Sequence, residues 1–267
     1  MSDISKQRNE VRQLNQLQQR DQWMNQRHPL VKLSLTILYI LFVVSCQKYQ
    51  LSAMIGFAVY PLFMFSLADL SLKDALHRMR LILLLVLAVG IVNPFFDRQI
   101  VLTMGGIPVT GGVISMLTLM LKGLYTVLAA YVLMATTKME EICAALRMLH
   151  VPKILVTVVL LIDRYFYMLA EEAERIMTAY RLRAPSQKGI HYKAWGPLVG
   201  QWLIRSMDRA QLVYESMTLR GFHGEFPEVS GRNVMAGEIA FLIGWCLFFF
   251  ANRCLGLPDL IGHVLMG

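Results

Sequence analysis

Two arginines share a repeated setting. The chain reads Ala-Tyr-Arg-Leu-Arg-Ala-Pro at 179–185 and Ser-Met-Thr-Leu-Arg-Gly-Phe at 216–222. A guanidinium stays charged at any physiological pH and presents its donors in a planar fork, so it can grip a carboxylate with two parallel hydrogen bonds. A small residue after it lets a partner backbone come close. A single arginine at a helix end is explained by the helix dipole, which favours a cation there by about 0.3–1 kcal/mol. Two matched ends are harder to explain as capping. Leu182, Arg183 and Ala184 on one, with Leu219, Arg220 and Gly221 on the other, read as a two-pronged docking device.

The elements that carry these tips are long helices. Thr137-Lys138-Met139-Glu140 has the form of a capping box and predicts a helix start. Met139, Cys143, Leu146 and Leu149 form one apolar stripe, and His150-Val151-Pro152 breaks the chain. A long helix is predicted from about 152 to 182, where Ile162, Phe166, Leu169, Ala173, Ile176 and Tyr180 recur at steps of four and three. Residues 188–192 read as a connector, and Pro197 reads as the opening of another helix, because a first-turn residue needs no N–H. Val199, Leu203, Ser206, Ala210, Val213 and Met217 repeat the same steps until Gly221 and a turn over 224–227 end the run. Arg183 and Arg220 each lie three residues beyond the last stripe position, Tyr180 and Met217, and so beside the packed seam.

The remainder is apolar. The 267 residues are 56% hydrophobic and 16% charged, where a soluble domain carries about 25% charge. Residues 30–46, 51–68, 81–96, 113–135 and 234–255 read as membrane helices, since a span needs about 17–25 apolar residues. The third is interrupted by Gly90 and Asn93-Pro94. Lys32 sits near enough to an end to snorkel, whereas Lys122 lies deeper and needs a partner, an interface or a tilted helix. The polar, Gln-rich first 29 residues show no cleavable signal peptide.

With the N-terminus in the cytoplasm, Lys and Arg number five in the tail, three over 69–80 and thirteen over 136–233, against Lys48, Arg98 and Arg253 on the other side. That asymmetry satisfies the positive-inside rule. It makes the net charge of +8 a topology signal and excludes nucleic acid as the expected partner. The expected fold is an all-α integral membrane protein with about five transmembrane helices and a cytoplasmic set of long amphipathic coupling helices. Its parts are a polar cytoplasmic tail (1–29), four membrane helices (30–135), the coupling helices (136–233), and a last membrane helix with an outer C-terminus (234–267). Residues 154–170 are apolar enough to weigh as a sixth span, but Asp163-Arg164 in their middle favours a helix at the membrane surface.

The sequence here resembles the transmembrane T component of energy-coupling-factor (ECF) transporters, particularly the CbiQ-type subunit of cobalt importers. The resemblance rests on the 137–146 stretch, His150-Val151-Pro152, residues 161–166, Glu172, Glu174 and the two Leu-Arg motifs. In that family two Arg-centred motifs, usually Ala-Arg-Gly-like, end coupling helices that dock into grooves of two ABC ATPases. This implies the ATPase-docking role for Arg183 and Arg220. Leu replaces Ala before each arginine here, and Ala184-Pro185 follows the first in place of Gly. The resemblance also implies partners: two CbiO-like ATPases, a CbiM-like substrate-binding membrane subunit and a small CbiN-like accessory membrane subunit, with the chain itself in the inner membrane. ATP and Mg would be bound by the ATPases, with no cofactor in this chain.

The chemistry elsewhere agrees with a coupling subunit. There is no P-loop for ATP hydrolysis, and all six histidines lie outside the five spans. The spans are expected to lack acidic ligands too, so metal specificity is assigned to another subunit. Cys46, Cys143, Cys246 and Cys254 read as small core residues. The seventeen methionines read as packing residues, with Met139, Met168, Met177, Met207 and Met217 open to a second reading as a repackable partner surface. The rival functions are a nickel or vitamin T component, a conventional ABC permease, which would carry a Glu-Ala-Ala-type coupling loop, and a membrane-bound enzyme, which would need a His, Asp or Glu cluster at one membrane face.

Overall fold

A computed structural model of the chain describes residues 18, 23–47, 51–96, 100–104, 107–187, 189–224, 226 and 235–255. Most of the predicted 1–29 tail, the outer C-terminus, Lys48, Arg98, Lys188 and His263 lie outside them. The described chain forms helices α1 (Pro29–Ser45), α2 (Leu51–Phe57), α3 (Val59–Leu67), α4 (Leu72–Arg78), α5 (Arg80–Phe96), α6 (Gly111–Thr136), α7 (Met139–Met148), α8 (Lys153–Arg183), α9 (Tyr192–Leu219) and α10 (Ala236–Leu255). The fold is helical as expected, apart from an antiparallel hairpin of β1 (Ile100–Met104) and β2 (Ile107–Thr110), paired from Ile100↔Thr110 to Met104↔Ile107. The chain divides into two compact units, one holding 139–226 and the other holding the remaining described residues.

In the larger unit α6 packs against α1, α2, α3 and α5. Two lysines lock α1 to α6. Lys32, near the start of α1, is 2% exposed and donates from Nζ to the carbonyl of Thr136, the last residue of α6, at 2.8 Å. At the other end Lys122 of α6 donates to the carbonyls of Val44 (3.1 Å) and Cys46. Arg253 of α10 donates to that of Ser45 between them at 3.0 Å. The two helices are therefore antiparallel, and each places a cation on the free carbonyls of the other's C-terminus, where the dipole favours it. Lys122 thus has its partner, and Lys32 is buried in a bond where the sequence predicts snorkelling.

By length and hydropathy, two described helices can cross a membrane on their own, Gly111–Thr136 and Ala236–Cys254. Five spans are expected from the apolar runs, and the difference has local causes. Helices α1 and α5 are 17 residues each, at the short limit for a span. The second run is only locally interrupted at Ala58, and the pair Ala53–Leu67 and Leu72–Arg78 qualifies as one span only if the 108° bend between them is ignored.

Pro61 explains the interruption: it has no N–H to give to the carbonyl of Phe57. The Tyr39 hydroxyl takes that carbonyl instead, at 2.9 Å. Tyr39 sits in an aromatic cluster with Tyr60 and Phe249, centroids 4.3 and 5.3 Å away, and Trp245 stacks edge-on to Tyr60 at 5.1 Å. Gly90 and Asn93-Pro94 do not interrupt α5, which runs through them. Gly90 is buried, and at Gly123 of α6 a Cβ would lie 2.5 Å from Val86 Cγ1, so glycine here permits close packing of α5 on α6. Of the cysteines, Cys46 and Cys143 are buried as expected, whereas Cys254 is exposed.

Candidate docking site at two helix ends

The smaller unit holds α7, α8 and α9. Helix α8 is 31 residues and begins after Pro152, behind His150 at φ 63. Helix α9 is 28 residues and begins at Tyr192, five residues before the predicted opening at Pro197. The reason is a cap that the sequence reading missed: His191 has an extended backbone, and its Nδ1 accepts from the N–H of Lys193 at 3.3 Å. Pro197 is then accommodated inside the helix. The two helices touch where the Trp202 indole donates to the carbonyl of Leu169 at 3.2 Å and Arg205 pairs with Glu172. The hydrogen bond from Arg205, with help from nearby Arg175 and Arg209, holds the Glu172 carboxyl below its ordinary value. A largely apolar cavity of about 410 Å³ lies between the helices, lined by Leu161, Tyr165, Met168, Val213, Met217 and Phe222 among others.

Arg183 is the last residue of α8, and Arg220 directly follows the last residue of α9. Both are exposed. The leucine before each is bared: Leu182 is 78% exposed and Leu219 is 89% exposed. One exposed leucine is ordinary, so what marks these ends is the same bared Leu-Arg pair on both helices. Helix α9 as a whole has no buried residue, and Val199, Leu203, Ile204 and Met207 lie open along it. Such contiguous exposed apolar surface marks interaction sites.

The two ends are built differently, although both arginines keep the same spacing from their stripes. At the first, Ala184 adopts φ −130 and gives its N–H to the carbonyl of Tyr180, and Pro185 prevents continuation. The Tyr180 hydroxyl then donates to Gln187 Oε1 at 2.7 Å and accepts from the N–H of His191 at 3.3 Å, so the loop is tied to its own helix. At the second, Gly221 takes φ 82 and gives its N–H to Thr218, while the N–H of Phe222 reaches the carbonyl of Met217 at 3.0 Å. That is a Schellman motif, and its usual apolar contact is supplied by Phe222 and Met217, which share the cavity wall.

Other expectations are redistributed. Met168, Met207 and Met217 line the α8–α9 cavity, while Met139 is exposed on α7. The expected lack of acid in the spans fails at Glu238, which starts α10 and is 2% exposed. Its carboxylate accepts from the N–H groups of His28 (2.9 Å) and Met235 (3.2 Å), a helix-start cap. Among the described residues no group of three His, Cys, Asp or Glu side chains is placed to hold a metal ion.

Apolar helices long enough to cross a bilayer, together with a separate unit of long helices ending in exposed Leu-Arg pairs, define a helical membrane protein. Its family follows from comparison: the CbiQ cobalt transport protein family matches residues 20–230, and the chain belongs to that family. It is similar to the nickel permease LarQ of Lactiplantibacillus plantarum, 30% identical over 119 residues, covering 43% of this chain and 44% of that one. It is also similar to an uncharacterized protein of Methanocaldococcus jannaschii, 25% identical over 134 residues, covering 49% and 46% respectively. The chain thus spans a little under half the length of these curated relatives.

Proposed function

We propose that this chain is the non-catalytic coupling subunit of an ECF-type ABC importer for cobalt. Two ATPases bind and hydrolyse ATP with Mg, and this chain carries their motion through Arg183 and Arg220 to a membrane-embedded substrate-binding subunit. The small accessory membrane subunit completes the complex in the inner membrane. The observation that carries this reading is the pair of arginines on separate helix tips, each beside an almost fully exposed leucine. Two tips suit two equivalent ATPases, and the uncovered apolar length of α9 suits a partner subunit. The charge asymmetry of the sequence supports a cytoplasmic N-terminus, with both tips on the ATP side.

Charge reversal at both tips, Arg183→Glu with Arg220→Glu, tests it. Losing one partner of a desolvated, hydrogen-bonded charge pair costs about 2–5 kcal/mol, so the ATPases should no longer co-purify and metal uptake should stop. An intact complex transporting at the normal rate would end the docking idea. Nickel is the second reading, favoured by the similarity to a nickel permease. Competition between radioactive cobalt and nickel in cells expressing the whole complex separates the two.

A further inference from the structure

The two tips differ in what braces them. The first is tied locally, through Tyr180, Gln187 and His191. At the second, the chain leaves the Schellman turn at Phe222, bends at Gly224 with φ 91, and brings the Phe226 ring to 5.2 Å from that of Phe222. The Phe226 carbonyl then accepts from Arg147 Nη1 of α7 at 3.1 Å, a contact spanning 79 residues. Arg147 is partly buried, and α7 packs on α8. An arginine on a separate helix therefore closes the turn that sets the direction of Arg220.

We infer that Arg147 is the positioning residue of the second prong. It holds Phe226 and the 222–224 turn so that Arg220 and Leu219 face a partner in one orientation. Phe222 is the link, since it is both the apolar partner of Met217 in the Schellman motif and the ring against Phe226. The helix end without that strap would depend on Gly221 alone, and a last helical turn frays readily. Nothing comparable reaches the first prong among the described residues, so the effect of Arg147 is confined to one tip. The inference rests on the docking reading above.

The test measures ATPase affinity in the full complex for Arg147→Met placed in two backgrounds. In Arg183→Ala the second prong is the remaining arginine anchor, and Arg147→Met should weaken ATPase binding about tenfold, the equivalent of 1.4 kcal/mol. In Arg220→Ala the same change should have a much smaller effect, since only Leu219 is then left for the strap to orient. Arg147→Lys keeps a cationic donor and should recover part of the loss. Amide exchange at 217–224 in the purified chain should quicken in Arg147→Met and stay unchanged at 180–184. Equal losses in both backgrounds, or faster exchange at both tips, would mean that Arg147 merely stabilises the unit. No loss in the Arg183→Ala background would also overturn the inference. If Arg183→Ala and Arg220→Ala themselves leave affinity unchanged, docking fails first and the positioning role falls with it.

Discussion

Replacing Lys32 and Lys122 with methionine tests whether the reciprocal cations hold α1 to α6. Methionine keeps the stem and adds apolar surface, which by burial alone would be neutral or favourable inside a bilayer. The structure gives the opposite sign, because each change strips a donor from helix-end carbonyls. Lys32 is 2% exposed and bonds the terminal carbonyl of α6 at 2.8 Å. A hydrogen bond to a charged group contributes about 1.5–3 kcal/mol, and the buried site puts Lys32→Met at about 2–3 kcal/mol. Lys122 is less buried and shares its end of α1 with Arg253. Lys122→Met should therefore cost less, about 1–2 kcal/mol.

The two sites are separated by most of α1. Thirteen residues of helix from Lys32 to Ser45 span roughly 20 Å, beyond the range at which mutations couple. The double variant should lose the sum, about 3–5 kcal/mol. The assay is denaturant or thermal unfolding of the detergent-solubilised chain, with a cysteine cross-link between α1 and α6 reporting the pair directly. Lys32→Met as stable as the original protein would refute the reasoning, as would a double variant no worse than Lys32→Met alone.

Other consequences concern the core. Tyr39→Phe strands the Phe57 carbonyl and should cost about 1–2 kcal/mol. Pro61→Ala restores an N–H that can reach the same carbonyl, so in that background Tyr39→Phe should cost less, which unfolding of the four variants measures. Gly123→Ala drives a methyl into Val86 and should cost about 1–3 kcal/mol. Val86→Ala should rescue much of that loss, and melting temperatures of the single and double variants would show it.

Much of the smaller unit was legible from spacing. The helices α8 and α9, the break at His150-Val151-Pro152 and the Gly221 stop are local signals realised where the pattern puts them, but the stripes are only partly covered, since Ile162, Phe166, Val199 and Leu203 lie exposed. Helix α9 was misjudged at its start because a histidine cap is weaker punctuation than a proline. The second apolar run holds through Pro61 as far as Leu67, with Tyr39, eighteen residues before the Phe57 carbonyl, taking the bond that proline leaves open, while the 108° bend beyond Leu67 was not anticipated. The hairpin of β1 and β2 was missed altogether, its strands being only five and four residues long.

The two Leu-Arg ends, the long helices behind them and the apolar character of the remainder were determined by the sequence alone. Periodicity and composition record which side of each segment meets apolar surroundings, and a helix end is written within a few residues. Only the tertiary structure decided the partners of Lys32 and Lys122, the closeness of α5 to α6 at Gly123, and the strap from Arg147 to Phe226. Each of these joins segments from 37 to 104 residues apart. Their pairing depends on how two helices register against each other, which no pattern along a single helix encodes.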